Sequence, residues 1–247
     1  MKVVAIIQAR LNSTRLHGKI LLEVNGKSML EILIERVKKA KKINEIIIAT
    51  TENNDDDIIE DFCEKRKIKC VRGSEEDVLG RYFLAAKLTN ATIIVRITSD
   101  NPLIDPIIID QAITIFNENE YDFVSNYVPP PRTYPDGMAV EVFSFQALNE
   151  ANDKAKKPSE REHVTFFIWK QPEKFFIHRF DYVKNISKYR FTLDYPEDYE
   201  VIKPIIAELY SKNPDFKLED IINWIDKRPQ IKKLNMNIKS NTGWNIH

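Results

Sequence analysis

The chain opens on a nearly unbroken apolar run, Lys2 to Gln8 (KVVAIIQ), the pattern of a strand buried on both faces of a parallel sheet. A polar loop follows. Ser28 to Lys42 then places Met29, Leu30, Leu33, Ile34 and Val37 on one helical face, with Ser28 and Glu31 spaced as a capping box. The unit repeats: strands are predicted over 45–50, 68–71 and 92–97, and helices over 55–67 and 76–87. Strands alternating with helices of this length imply βαβ crossovers and an α/β fold with a parallel sheet covered on both sides.

Beyond Asn101 the rhythm changes. A helix over 107–118 and a strand over 122–125 lead into Pro129-Pro130-Pro131, which continues neither element and reads as a rigid connection. Strands are predicted over 138–143, 175–180 and 188–193, and helices over 145–156, 161–169, 196–210 and 218–227. The organisation expected is one domain over 1–227, carrying an insertion at about 128–180, with a tail over 228–247 of no assigned role.

Charge narrows the partners. Thirty-seven Lys and Arg cancel thirty-seven Asp and Glu, so no global field favours nucleic acid or an anionic membrane, and an anion site must come from local clustering. No apolar stretch approaches membrane-spanning length, and the first strand is too short for a signal peptide, so a cytoplasmic protein with a small partner is expected. Cys63 and Cys70 have no second pair to complete a zinc site and read as reduced structural thiols.

In open α/β sheets ligands bind at the carboxyl ends of strands. The first such junction, Gln8 to Lys19 (QARLNSTRLHGK), sets three cations, Arg10, Arg15 and Lys19, among hydroxyl and amide groups. Arginine forks bind phosphate oxygens bidentately, and a lysine can neutralise charge on a leaving pyrophosphate, which suggests a triphosphate grip. A solvated basic loop is the competing reading. Gly26-Lys27-Ser28 resembles the end of a Walker A loop, but Leu21 stands where its first glycine belongs. At the second junction Asp100 follows a buried strand, where a carboxylate can ligate Mg²⁺ against nucleotide phosphates; Asp105, before Pro106, reads as a helix N-cap. At the third, Asp194 is either a second magnesium ligand or a plain N-cap.

These blocks resemble the sugar-nucleotide cytidylyltransferases, whose CMP-Kdo synthetase and spore-coat polysaccharide (SpsF-like) branches carry Q-A-R or P-A-R and then S-T-R-L-P-G-K. The similarity continues in order through ATTENNDDD from Ala49, RGSEEDVLGRY from Arg72, ITSDNPLID from Ile97, DGMAVEVFSFQAL from Asp136, EREHVT from Glu160 and FTLDYPEDYE from Phe191. The DVLGRY, EVFSFQAL and EREHVT blocks point to the SpsF-like branch. The resemblance implies a Rossmann-like αβα sandwich of the nucleotide-diphosphosugar transferase (GT-A-like) type, with a mostly parallel sheet and an inserted dimerisation or sugar-binding segment.

It implies further that CTP is the co-substrate, with Arg10, Arg15 and Lys19 on its triphosphate, assisted by Ser13. Asp100 and Asp194 would share a catalytic Mg²⁺, with Lys19 as the third catalytic residue. The cytosine pocket would draw on Ala9, Thr50 or Thr51, and the Ser74 to Arg81 segment. Glu160, Arg161, His163 and Arg190 would face the sugar. The implied reaction is CMP transfer to a sugar hydroxyl, in neighbouring branches that of Kdo, a sialic acid or a related 2-keto acid, during surface polysaccharide or glycan biosynthesis. A homodimer through the insertion is expected from the family. His17 departs from the pattern, standing where the family has proline. Two other functions compete: a glycosyltransferase of similar fold using a finished nucleotide sugar, and a non-catalytic nucleotide-binding protein. Against the first, Asp100 is followed by Asn101-Pro102 rather than by an Asp-x-Asp motif.

Overall fold

A computed structural model describes residues 1–239. In chain order its strands are β1 (Val3–Gln8), β2 (Glu23–Val24), β3 (Lys27–Ser28), β4 (Glu45–Thr51), β5 (Lys69–Gly73), β6 (Ile93–Thr98), β7 (Phe123–Ser125), β8 (Glu141–Ser144) and β9 (Ile177–Arg179). The helices are α1 (Met29–Val37), α2 (Asp57–Lys65), α3 (Val78–Thr89), α4 (Pro106–Asn117), α5 (Phe145–Lys154), α6 (Pro158–Glu162), α7 (Phe166–Trp169), α8 (Pro196–Ile205), α9 (Leu218–Asp226) and α10 (Pro229–Lys232).

The apolar run of β1 is explained by its place in a seven-stranded sheet of order β5-β4-β1-β6-β8-β7-β9. Val3, Ala5 and Ile7 enter one core with residues of α1, α2, α4, α8 and α9; Val4 and Ile6 enter another with residues of α3, α5 and α7. Period-2 alternation thus feeds two layers. Each such Val or Ile removed from water contributes about 1.5–3 kcal/mol. The β1, β4, β5 and β6 pairings are parallel and β8 is antiparallel to its neighbours, giving the Rossmann-like αβα architecture. In the parallel register Gln8 lies beside Thr98, and Thr51 beside Gly73, so these strands end along one edge.

Local signals held at several helix starts. Ser28 accepts the Glu31 N–H at 3.2 Å, and Asp105, followed by Pro106, accepts that of Ile107 at 2.9 Å.

The first helix, expected to run to Lys42, ends at Val37, and four further elements differ from expectation. Residues 188–193 form no strand: they cross the end of the sheet, with one bridge between Asp136 and Arg190 and with the Leu193 N–H donating to Asp100 O at 2.8 Å. The strand expected over 138–143 begins only at Glu141, because the Asn126 side chain takes the place of a ladder partner: its Nδ2 donates to Met138 O and its Oδ1 accepts from Val140 N. The helix expected over 161–169 is broken into α6 and α7 at Val164, whose φ of 55° carries its fully buried side chain into the core. After Pro204, which cannot donate to the helix ladder, the last turns wind as a π-helix over Ile206–Tyr210.

Residues 128–180 supply β8 and β9 to the main sheet. The tail contributes α10 and the buried Asn235; its remainder from residue 240 lies outside the described residues. Among the described residues no helix is long and apolar enough to cross a membrane.

Candidate functional site

A cleft of about 1220 Å³ opens across the ends of β1 and β6, lined on one side by the loop that follows β1. That loop is closed on itself, with the Gly18 N–H donating to Leu11 O at 3.1 Å, and is pinned from below, with the Leu11 N–H donating to the buried Asp56 carboxylate at 2.7 Å. Gly18, at φ 63°, then starts the 3-10 turn Lys19–Leu21, which buries the Lys19 stem.

The Lys19 ammonium stands 2.8 Å from Asp194 Oδ1 and 3.4 Å from Asp100 Oδ2, and Arg15 reaches the same Asp194 oxygen at 2.7 Å. Burial pushes the Asp194 carboxyl upward, but Lys19 and Arg15 outweigh it and hold Asp194 below the usual carboxylate range. The N-cap reading of Asp194 is therefore displaced: the cap work is done by Asp198, which accepts from both the Asp194 and Tyr195 N–H groups at 3.0 Å.

The approach of Asp194 to Asp100 has a backbone cause. Besides the Leu193 bond, the Thr192 hydroxyl donates to Asp100 O at 3.3 Å, and the Phe191 N–H donates to Asp136 O at 2.8 Å. Gly137, at φ 93°, allows this crossing; a Cβ there would sit 2.4 Å from the Phe191 carbonyl carbon.

Two carboxylates facing one ammonium form a donor set that suits a hard divalent cation. Among the described residues no three acidic, histidine or cysteine side chains converge as a metal cage. Mg²⁺ is commonly held by one or two carboxylates and completes its shell with water and substrate phosphates, so the pair Asp100 and Asp194 is a donor set of that kind.

The remaining nucleotide-side residues divide. Ala9, Arg10, Ser13 and Ser74 line the cleft, with Arg10 Nη1 2.7 Å from Glu75 Oε1. Arg81 lies largely beneath it, donating to the Ser74 and Glu75 carbonyls. Thr50 and Thr51 are fully buried, and the Thr51 hydroxyl donates to Asp56, so they act behind the loop. His17 is exposed and outside the cleft lining.

On the opposite wall the expected sugar-side residues are largely engaged with the protein. Glu160 caps α6, its Oε2 accepting from Lys156 and Lys157 N–H groups at 3.3 Å. Arg161 forks onto Asp77 with contacts of 2.8 and 2.5 Å, tying α6 to the start of α3. Arg190 forks onto Asp198 at 2.8 Å twice, with Asp194 at 3.4 Å and Asp136 at 3.5 Å. His163 lines the cleft with its ring 4.3 Å from that of Phe166, and burial holds its pKa below the usual imidazole value.

Comparison with known proteins decides the family: the cytidylyltransferase profile matches residues 4–224. The chain belongs to the cytidylyltransferase family. A cytidylyltransferase structure from Leptospira borgpetersenii superposes with a TM-score of 0.87 at 38% identity, covering 94% of this chain and 97% of that one. Spore coat polysaccharide biosynthesis protein SpsF of Bacillus subtilis is 31% identical over 239 residues, 92% of this chain and 95% of that protein. A 3-deoxy-manno-octulosonate cytidylyltransferase of Geotalea daltonii is 36% identical over 168 residues, 62% of this chain and 65% of that protein.

Several residues in or beneath the cleft of this cytidylyltransferase family member escaped the sequence reading. Asp56 sits in an acidic run, AspAspAsp at 55–57, that reads as a solvated helix start. Asn235 lies in an unpatterned tail, yet its Nδ2 donates to Asp198 Oδ1 at 2.8 Å and to Arg190 O at 3.2 Å. Arg96 interrupts an otherwise apolar strand, a signal available from sequence, and faces Glu141 at 3.0 Å inside the cleft.

Proposed function

We propose that this cytidylyltransferase transfers CMP from CTP to a hydroxyl of an acidic 2-keto sugar. The hydroxyl oxygen forms a bond to the α-phosphorus, the bond from that phosphorus to the α,β-bridging oxygen breaks, pyrophosphate leaves, and the hydroxyl proton passes to solvent. The observation that carries the reading is the convergence of Asp100 and Asp194 on Lys19 at the cleft end walled by the Arg10 to Lys19 loop.

In this reading Arg10, Arg15 and Lys19 hold the triphosphate, with Ser13 and nearby backbone N–H groups assisting, and Lys19 neutralises charge gathering on pyrophosphate. Asp100 and Asp194 would hold Mg²⁺, which when bound would neutralise phosphate charge. Ala9 and the Ser74 loop, braced by Arg81, flank the base. Reaction of this kind needs positioning and charge neutralisation rather than a protein nucleophile. The acceptor class is supported by the similarity to a protein named as a 3-deoxy-manno-octulosonate cytidylyltransferase. A homodimer through residues 128–180 belongs to the same reading and is testable by light scattering.

The test is pyrophosphate release with each of the four nucleoside triphosphates, with and without Mg²⁺, across a panel of 2-keto sugar acids. Release with CTP, Mg²⁺ and at least one acid is the expected result. Preference for another triphosphate, or nucleotide binding without turnover across the panel, overturns the proposal.

A further inference from the structure

The residues first suggested for the sugar do not supply an open cation, since Arg161 is forked onto Asp77 and Arg190 onto Asp198. Arg96 is placed differently. It lies on β6 in a strand whose neighbouring positions are Val95 and Ile97, both fully buried, and its guanidinium emerges on the cleft floor with 15% of the side chain exposed. A cation set among buried apolar residues carries a desolvation cost that a solvated surface arginine does not.

Its hydrogen bonds fix the fork without using it up. Nε donates to Gln8 Oε1 at 3.3 Å and Nη1 to Glu141 Oε1 at 3.0 Å, while Glu141 Oε2 accepts the Thr165 hydroxyl at 2.9 Å. Among the described residues Nη2 has no hydrogen-bond partner and is not buried from solvent, so it opens on the cleft. A guanidinium offers five N–H donors, and two are engaged here. Glu141 has both oxygens committed, so the outward edge of the pair is the donor edge of Arg96. Thr98 shares its face of β6, and Asp100 follows in the turn just beyond the strand end.

We infer that Arg96 is the anchor for the carboxylate of the acceptor, with Glu141 and Thr165 as positioning residues that hold its fork toward the cleft. The inference rests on the proposed transfer to an acidic sugar and assigns the group that reads the acid. Arginine is suited to this because a carboxylate matches its planar fork with two charge-assisted bonds.

The test uses Kdo and N-acetylneuraminate, each against its C1 carboxamide, titrated calorimetrically into the full chain saturated with CMP. The wild type is expected to prefer at least one acid over its amide on the order of 10- to 100-fold. Arg96→Gln should abolish that preference while CTP affinity changes less than about twofold. The double variant Arg96→Gln/Glu141→Gln removes both charges and guards against a fold damaged by an unpaired Glu141; it should behave the same way. Retention of the acid preference in both variants, or its absence from the wild type, overturns the inference. Pyrophosphate release is read separately: acid preference without release from CTP sinks the proposed reaction and leaves Arg96 as an acid anchor, and release with no preference does the reverse.

Discussion

The two walls of the cleft carry similar charges and use them differently. On the β1 side, Arg15 and Lys19 converge with Asp100 and Asp194, so cations and carboxylates meet at the mouth of one cleft. On the far side, Arg161 and Arg190 also line the cleft, but each is forked onto an aspartate of the scaffold. An arginine that gives two nitrogens to one carboxylate is a brace, since releasing it for a ligand would strand its partner, whereas Arg15 and Lys19 each reach Asp194 through a single nitrogen. Lining a cleft and serving it are separate properties, and the hydrogen-bond partners of each charge distinguish them.

The sharpest way to break this contrast is at the carboxylates. Asp100→Asn and Asp194→Asn should each lower kcat/KM by about 10²–10³ or more while circular dichroism stays native; full pyrophosphate release from either variant would undo the assignment. Next comes the crossing that brings the two together. Gly137→Ala should cost about 3 kcal/mol in denaturant unfolding, because a Cβ would meet the Phe191 backbone at 2.4 Å. An unchanged midpoint would mean that the 190–194 crossing has other support.

On the far wall the expected cost is structural. Arg161→Gln should destabilise by about 0.5–1 kcal/mol, because Asp77 is partly exposed and solvent screens the pair, with acceptor KM moved less than about threefold. Adding Asp77→Asn should recover part of that stability. A large KM effect with unchanged stability would return Arg161 to the sugar.

The smallest effect concerns His163, whose folded pKa is depressed by burial. Its neutral form is favoured by folding, so the stability it contributes is fully present above the ordinary imidazole value near ~6.5 and is lost as pH falls through the lower folded value. Unfolding midpoints of the wild type should therefore fall more steeply than those of His163→Gln between pH 7 and 5; parallel curves would contradict the buried neutral histidine.

The βαβ half was legible because its signals are local. The run Val3 to Gln8, the apolar face of α1 and the caps at Ser28 and Asp105 follow from residues near in sequence, and each was found in place. The later half reads less clearly because its backbone partners are side chains and loops far away. Asn126 ends the ladder of β8 early, and residues 188–193 bond to Asp100 and Asp136 instead of pairing as a strand. No hydrophobic period records such bonds.

The sequence by itself determined the α/β class and the order of its first elements. It also determined the concentration of cations after β1 and the aspartates at positions 100 and 194. These are properties of composition and spacing, which hold wherever the chain goes. Tertiary structure decided which charges remain open. Asp194 differs from a simple N-cap because Asp198 takes the cap, and Arg161 differs from Arg96 because Asp77 fills its fork while Arg96 keeps an edge toward the cleft. The physical reason is that a charge is available only after its own hydrogen bonds are counted, and those partners can lie far off in sequence, 175 residues apart for Lys19 and Asp194.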